Sequence, residues 1–520
     1  MTKFSAYELI QYQACNVGYS RLALRGSIPG RESKLIGGRA ASLQAKTTSL
    51  SLKREFDMAE VYHRPLPENA CFPTGSLDFR KELSSSSLKQ RLKSRIQLNI
   101  TIVGAGLGGL ATAVALARHG HSVTVFEQAC KLGEVGAGIQ IPSNSSRLLK
   151  RWGVAEHLAP FIVEPHGINL LRWKDGKLIG KTQLVPDFQY RFGAPYYVIH
   201  RAHLHSALHR RAMDLGVDIQ INSRVTEYRP ETATIVLASG KTYRSDLVVA
   251  ADGVQSVAVP IVTGSKDKKV IPSGFAAYRA TVDAAKIQND PETAPLLETP
   301  GLNFWIGDQR HAMTYPIAGG TSYNMVLSHP ETSDPSTWSQ QDALTAMKRE
   351  FNNWDPRLVK VIDMIDATMK WPLVTGIGLS NWVHPTNNLV VLGDAAHAML
   401  PYMSQGAGMA IEDGAALAEV IHLASSLEQL PQCLDLWQRV RIKRTFQMQQ
   451  ASLIGAHIWH VADGPEQIAR DTSMQADIEG NPTNSSANLW SDPVTQRWCY
   501  GYDAEREIQA EWGMLAQCHL

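Results

Sequence analysis

The sequence predicts an α/β protein: a Rossmann-like nucleotide-binding domain interrupted by a mixed or antiparallel-sheet domain, followed by a helical C-terminal region. Three observations carry this expectation. A strand, glycine turn, helix and second strand unfold in order from Asn99; two later apolar strands run into Asp252-Gly253 and Gly393-Asp394; and strand-like runs fill the interval between those two. At 520 residues the chain exceeds what one core usually supports, so two or three lobes are expected.

The first 96 residues differ from the rest. They hold 16 Lys or Arg against 8 Asp or Glu, and the serine run Ser84 to Ser87 leads into KQRLKSR, the pattern of a solvated linker. Residues 1–96 are therefore expected to be a disordered extension. A transit peptide is the alternative, weakened by Glu8 and by the lack of a sustained amphipathic stripe; a start of translation near Met58 is another. The net charge of +2 leaves no footprint for nucleic acid. Six cysteines lie far apart with no paired spacing, which argues against a disulfide scaffold and against a metal site, and points to a reducing, cytoplasmic setting.

NITIVGAGLGGLATAVALARHGHSVTVFEQ imitates a membrane span in hydropathy, but its glycines, its His-Gly stop and the alternation that follows do not. Ile100 to Val103 reads as a buried strand, Leu107 to Arg118 as a helix and Val123 to Phe126 as a second strand. Gly104, Gly106 and Gly109 fall in the turn, where backbone amides and a helix dipole suit a diphosphate. Glu127 closes the second strand, where a carboxylate accepts hydrogen bonds from ribose hydroxyls. That unit alone serves NAD or FAD equally. The strand Leu247 to Ala250 with Asp252 and Gly253, and the strand in NLVVLGD with Asp394 and a helix beginning near Gly408, tip the balance, because only a long flavin dinucleotide needs a second acid and a second helix start. Taken singly, Arg201, Asp252 and Asp394 read equally well as helix caps or surface ion pairs.

Together these segments resemble the single-component FAD-dependent aromatic hydroxylases, with the salicylate-hydroxylase-like fungal monooxygenases most similar. The resemblance spans about Ile100 to Leu423. It implies FAD contacts from Gly104, Gly106, Gly109 and Glu127; from the EVGAGI run at Glu134 to Ile139, with Gly138 and Gln140 beneath the flavin; from Arg201 in the RxxL pattern with Leu204; from Asp252 and Gly253; and from Asp394, Gly406 and Ala407 around the GDAAH motif. Two departures stand out. Val259 sits where the family often has Arg, and Ser404 where it often has Gly.

The resemblance further implies NAD(P)H as a transient reductant, since no second complete GxGxxG is present, and catalytic roles for Arg279 in AYRA and Tyr315 in MTYPI. A guanidinium holds a carboxylate or phenolate, and a phenol relays the substrate proton. Phe304 and Trp305 are candidate pocket walls, while His397 reads as a packed, hydrogen-bonded histidine rather than a base. The expected division is a flavin domain from 97–165, 195–262 and 382–425, a substrate domain from 166–194 and 263–381, and a helical region at 426–520 containing a polar loop from Ala462 to Ser491. The expected activity is hydroxylation of a phenolic, carboxylated ring with O2, with decarboxylation or dearomatisation as variants, in fungal secondary metabolism or aromatic degradation. Oxygenation of a non-aromatic polyketide or terpenoid, or a non-catalytic flavin-binding protein, are the alternatives. No membrane span is expected, and the oligomer is a monomer or homodimer.

Overall fold

The computed structural model describes residues 93–133, 137–265, 270–481 and 486–518. Of the expected extension, therefore, all but 93–96 lies outside the described residues, as do Glu134 to Gly136 of the EVGAGI run. Residues 93–96 run into the first strand with Ser94 and Ile96 buried.

A five-stranded, all-parallel sheet takes the order 389–391, 247–250, 99–103, 122–126, 218–220. Its central strands are apolar along their length because helices and loops cover both faces: Ile100, Ile102, Val125, Leu247 and Val249 are almost wholly buried. Leu107–Arg118 forms the helix the sequence predicts. It crosses the helix Gly406–Leu423 so closely that a Cβ on Gly414 would stand 2.5 Å from Thr112 Oγ1. The strand-to-helix turns of both units are thereby brought to one side of the sheet.

A seven-stranded sheet is built from Gly167–Arg172 and Leu178–Gln183 together with five strands between Val270 and Gly376. It is antiparallel except where Leu302–Gly307 runs parallel to Gly167–Arg172. The two-residue period of its strands divides its faces. Tyr278, Trp305, Met325 and Leu327 pack under the helices Ala343–Glu350 and Pro356–Asp363, whereas Ala277, Phe304, Met313 and Tyr315 point the other way, toward the nucleotide half. Phe304 and Trp305 thus face opposite sides, and neither lines a cavity between the two sheets: Trp305 donates its Nε1–H to Asp355 at 2.9 Å, and Phe304 is wholly buried against Trp459 and Trp490.

The C-terminal region holds a 30-residue helix, Leu430–Trp459, and ends on the helix Ala504–Cys518. The expected polar loop from Ala462 to Ser491 is corrected: it contains the helices Pro465–Ser473 and Gln475–Ile478. Pro465 starts the first with its fixed φ, and neither is long enough to show an apolar stripe; their anchor is the single buried Met474, packed near Gly180. Among the described residues no helix is long and apolar enough to cross a membrane.

Three histidines gather where the two crossing helices end. His119 and His422 lie with ring centroids 4.5 Å apart, Ser94 Oγ is 3.0 Å from His422 Nδ1, and His121 Nδ1 accepts from Leu98 N at 3.3 Å. Burial first, and then the neighbouring His422, push His119 down to about 3 and His121 down to about 4. The unfolded chain therefore binds protons below about pH 6.5 that the folded chain refuses, and stability complete above that pH drains as pH falls toward 4, by about 1.4 kcal/mol per unit for each ring. Urea midpoints measured at pH 7.5 and 5 should show this loss, and His119→Gln with His121→Gln should flatten it.

Candidate functional site

Two cavities, of about 370 and 500 Å³, open between the sheets and share Gly106, Arg201 and Arg279, so that they form one bent groove. The outer arm is lined by Ala105, Glu127, His205 and Trp371; the inner arm by Leu107, Gly138, Gln140, Gly253, Tyr315, Asp394, Gly406 and Ala407.

At the bend sits the first glycine turn. A Cβ on Gly109 would come within 1.9 Å of the Gly104 carbonyl oxygen, which fixes how tightly the helix folds back on its strand. Gly106, the residue before the helix, offers no side-chain cap, and a Cβ there would meet nothing within 4 Å. The first-turn amides therefore face open space, the arrangement that receives an anion. Glu127 spans the turn from the next strand: Oε2 accepts from Ala105 N and Oε1 from Ala129 N, each at 2.8 Å.

A second helix end faces the inner arm. The helix Gly406–Leu423 has no side-chain cap, because the side chain of Gln405 is turned inward to Asn144 and to Cys499 Sγ. Ser404 holds the turn before it at φ +55°, a left-handed conformation that glycine takes freely and other residues adopt at a cost of about 1–2 kcal/mol, so the departure from the family's glycine is accommodated as strain. Asp394 opens the short helix Asp394–His397 and is exposed to the groove opposite Arg201, the first residue of the helix Arg201–Asp214. Burial pulls the Arg201 pKa down while the Asp394 charge opposes it.

Asp252 differs. Its Oδ2 accepts from the Tyr228 hydroxyl at 2.9 Å, its Oδ1 is buried without a hydrogen-bond partner, burial raises its pKa, and its neighbours Ala251 and Gly253 line the groove. Val259, the other departure from the family pattern, is buried in the helix Val259–Thr263.

The roof of the inner arm is the seven-stranded sheet. Gly138 N donates to Asn324 Oδ1 at 2.6 Å, and a Cβ on Gly138 would strike the Tyr315 ring at 2.5 Å, so only glycine lets this strand pass beneath that phenol. Arg279 pairs across the sheet with Val326, and Val326 with Met313, two residues from Tyr315. Arg279 Nε is buried without a hydrogen-bond partner, and burial lowers its pKa against the opposing pull of Tyr315. Burial raises the Tyr315 phenol, with Arg279 and Gln140 opposing it. Gln140 itself accepts from Tyr196 and donates to Met313 Sδ.

His397 is not a groove residue: its Nε2 lies 2.6 Å from Asp413 Oδ2, fully buried. Asp413 also accepts from Gly393 N at 3.0 Å and from Arg441 Nε at 2.8 Å. Residues not singled out from the sequence complete the inner arm: His311 from the Tyr315 strand, Met399 and Tyr402 from the segment after the GDAAH motif, and Trp459 from the long C-terminal helix.

An extended dinucleotide fits this donor set. Two uncapped helix starts, a carboxylate at the ribose position and an unpartnered guanidinium nitrogen look onto one continuous groove. Residues 97–452 match the family described as the FAD binding domain. An FAD-dependent monooxygenase of the fungus Beauveria bassiana, OpS4, is 33% identical over 412 residues, 79% of this chain and 96% of that protein. A 3-amino-4-hydroxybenzoate 2-monooxygenase of Streptomyces platensis, PtnB3, is 33% identical over 407 residues, 78% of this chain and 96% of that protein. Among solved structures, CtdE in complex with FAD and a substrate superimposes with a TM-score of 0.68 at 26% identity, covering 81% of this chain and 99% of that one.

Replacing Glu127 with Ala should weaken FAD binding by about tenfold to a hundredfold, the worth of charge-assisted hydrogen bonds, in a fluorescence titration of the apoprotein. An unchanged Kd would remove Glu127 from the cofactor site.

Proposed function

This chain belongs to the FAD-binding-domain family of flavin monooxygenases, and from that premise we propose that it hydroxylates a phenolic ring with NAD(P)H and O2. It is an FAD-dependent monooxygenase of the aromatic-hydroxylase type, and FAD is its cofactor. One observation supports the finer reading above the others: half-buried Arg279 and buried Tyr315 line the same cavity as Gly406 and Ala407.

Bound in this groove, FAD would supply the redox chemistry by which NAD(P)H and O2 oxygenate the ring. The chain's own residues do the rest. Glu127, Gly104, Gly106 and Gly109 would hold the adenosine and diphosphate part of the cofactor, and Arg201, Gly253, Gly138, Gln140, Asp394, Gly406 and Ala407 the remainder. Asp252, whose Oδ2 is held by Tyr228 and whose buried Oδ1 has no hydrogen-bond partner, would offer that oxygen to a cofactor hydroxyl. Arg279, lacking a partner for Nε, takes the anionic oxygen of the substrate and orients the ring. Tyr315 remains protonated at neutral pH because burial raises its pKa, and it hydrogen-bonds the substrate oxygen as its proton leaves. Apolar cover from Met313, Val326 and Leu400 excludes water.

We take segments 97–165, 195–262 and 382–425 as the flavin domain and 166–194 with 263–381 as the substrate domain, a division supported by the five-stranded sheet drawing its strands from the first set and the seven-stranded sheet from the second. We further assign the enzyme, as a monomer or homodimer, to the cytoplasm; Cys130, Cys433 and Cys499 are free thiols, as a reducing compartment favours. Fungal secondary metabolism or aromatic degradation is the setting we favour, since OpS4 comes from a fungus.

Arg279→Ala and Tyr315→Phe should retain stoichiometric FAD yet lose a hundredfold or more in hydroxylated product, read with 18O2 over a panel of phenols. Should Arg279→Ala hydroxylate at the wild-type rate, the residue assignment fails while the class stands.

A further inference from the structure

The strand Gly138–Ile141 joins neither large sheet: it pairs with Tyr197–His200 in a two-stranded sheet of its own. Arg201 follows that partner strand directly, and its N–H donates to the Ala137 carbonyl at 3.0 Å. Gly138, Gln140 and Arg201, all lining the inner arm, are therefore carried by one small piece of backbone. One tie from this piece to the seven-stranded sheet runs from Gln140 Nε2 to Met313 Sδ, 2.9 Å, and ends on a weak sulfur acceptor. Another runs from Gly138 N to Asn324 Oδ1, 2.6 Å, and holds the main chain itself.

Asn324 is wholly buried on the strand Ser322–Pro330, which runs between the strand of Arg279 and the strand of Tyr315. It stands directly opposite Tyr315, and Val326, two residues on, stands opposite Arg279. The pleat puts all four side chains on one face. A main-chain N–H can only donate, so the Asn324 amide must turn its oxygen to Gly138. Its Nδ2 is left buried with no hydrogen-bond partner. A donor stranded in this way costs stability, which marks the residue as kept for the bond its oxygen makes.

We propose that Asn324 is a positioning residue: by holding the Gly138 amide it sets the spacing between the cofactor-side strand and the pair Arg279 and Tyr315, and so the distance across which the substrate ring is oxygenated.

A Cβ on Gly138 would stand 2.7 Å from Asn324 Cγ and 2.5 Å from the Tyr315 ring, so the strand has no slack on this side. Without the acceptor, the buried Gly138 N–H must find another partner, and the strand moves off the sheet. Gln140 and Arg201 go with it, since they share its backbone. Reacting groups displaced by about 1 Å lose about a hundredfold in rate, so a small shift here is costly to the reaction.

This role rests on the reading of the groove as an FAD site in an aromatic hydroxylase, and two readouts separate them. A phenol quenches an excited flavin by electron transfer, which falls steeply with distance, so the fluorescence lifetime of bound FAD reports how near Tyr315 stands and needs no substrate. Asn324→Leu, similar in size but without an acceptor, should change that lifetime at least twofold when Tyr315 is present and leave it within about 20% in the Tyr315→Phe background. Asn324→Asp should restore the wild-type lifetime at pH 6, where burial keeps its carboxyl neutral: one oxygen still accepts from Gly138 N, and the other replaces an amino group that bonds nothing. The second readout is hydroxylated product per NAD(P)H consumed, with 2-, 3- and 4-hydroxybenzoate as probes, a ratio that does not depend on how much protein is folded. It should fall at least fivefold in Asn324→Leu, the remaining electrons and protons reducing O2 to hydrogen peroxide, and recover in Asn324→Asp.

A lifetime unchanged in Asn324→Leu, changed equally with and without Tyr315, or not recovered in Asn324→Asp overturns the positioning role and leaves the enzyme class untouched. Should Asn324→Leu fail to hold FAD, retention by Asn324→Asp supports the role and loss from both overturns it. If the wild type hydroxylates none of the probes, the phenolic reading fails while the lifetimes still decide the role of Asn324.

Discussion

A guanidinium buried without any solvent contact governs the architecture. Arg441, on the long C-terminal helix, donates from Nη1 to Glu412 at 2.7 Å and from Nε to Asp413 at 2.8 Å, while Arg444 reaches Glu412 as well. Each carboxylate has a second task. Glu412 holds Asn144, which holds Gln405 ahead of the uncapped helix; Asp413 holds Gly393 N and His397 in the acidic loop. Charges in such a place are costly unless every partner is present, and the removal of one leaves the others stranded. Two walls of the flavin groove are therefore set by a residue that does not line it.

This arrangement explains how distant pieces of chain meet one ligand. The parallel sheet delivers the glycine turn and the acidic loop to the same side, the crossing at Gly414 locks their helices together, and the carboxylate cluster ties both to the C-terminal helix. That same helix ends on Trp459, which lines the inner cavity, and is followed by His460, which lies against the lining residue His311. The glycine turn, the acidic loop and the inner cavity are thus tied to one element, a rigid frame of the kind that holds reacting groups in register.

What was legible in the sequence follows the reach of each interaction. The glycine turn and Glu127 are adjacent in space because they are adjacent in the chain, so their spacing announced them, and the helix bounds Leu107–Arg118 were readable to the residue. The strands around Arg279 and Tyr315 showed as alternation, which also separates the faces of Phe304 and Trp305, though alternation alone does not say which face meets the cavity. The pairing of Arg441 with Glu412 and of His311 with His460 spans 29 and 149 residues and leaves no periodic trace. The short helices after Pro465 hid because one buried methionine anchors them instead of a stripe. Asp252 was readable as an acid at a strand end; the Tyr228 hydroxyl that engages its carboxylate was not.

The dependence of the groove on the buried carboxylate cluster is best tested with Arg441→Lys, which keeps the charge but cannot span Glu412 and Asp413 as a planar fork does. FAD affinity of the folded variant, compared with wild type at matched circular dichroism, should fall at least tenfold even though Arg441 lines no part of the groove. A variant that melts earlier yet binds FAD with the wild-type Kd would contradict the account, since the cluster would then hold the fold together without shaping the site.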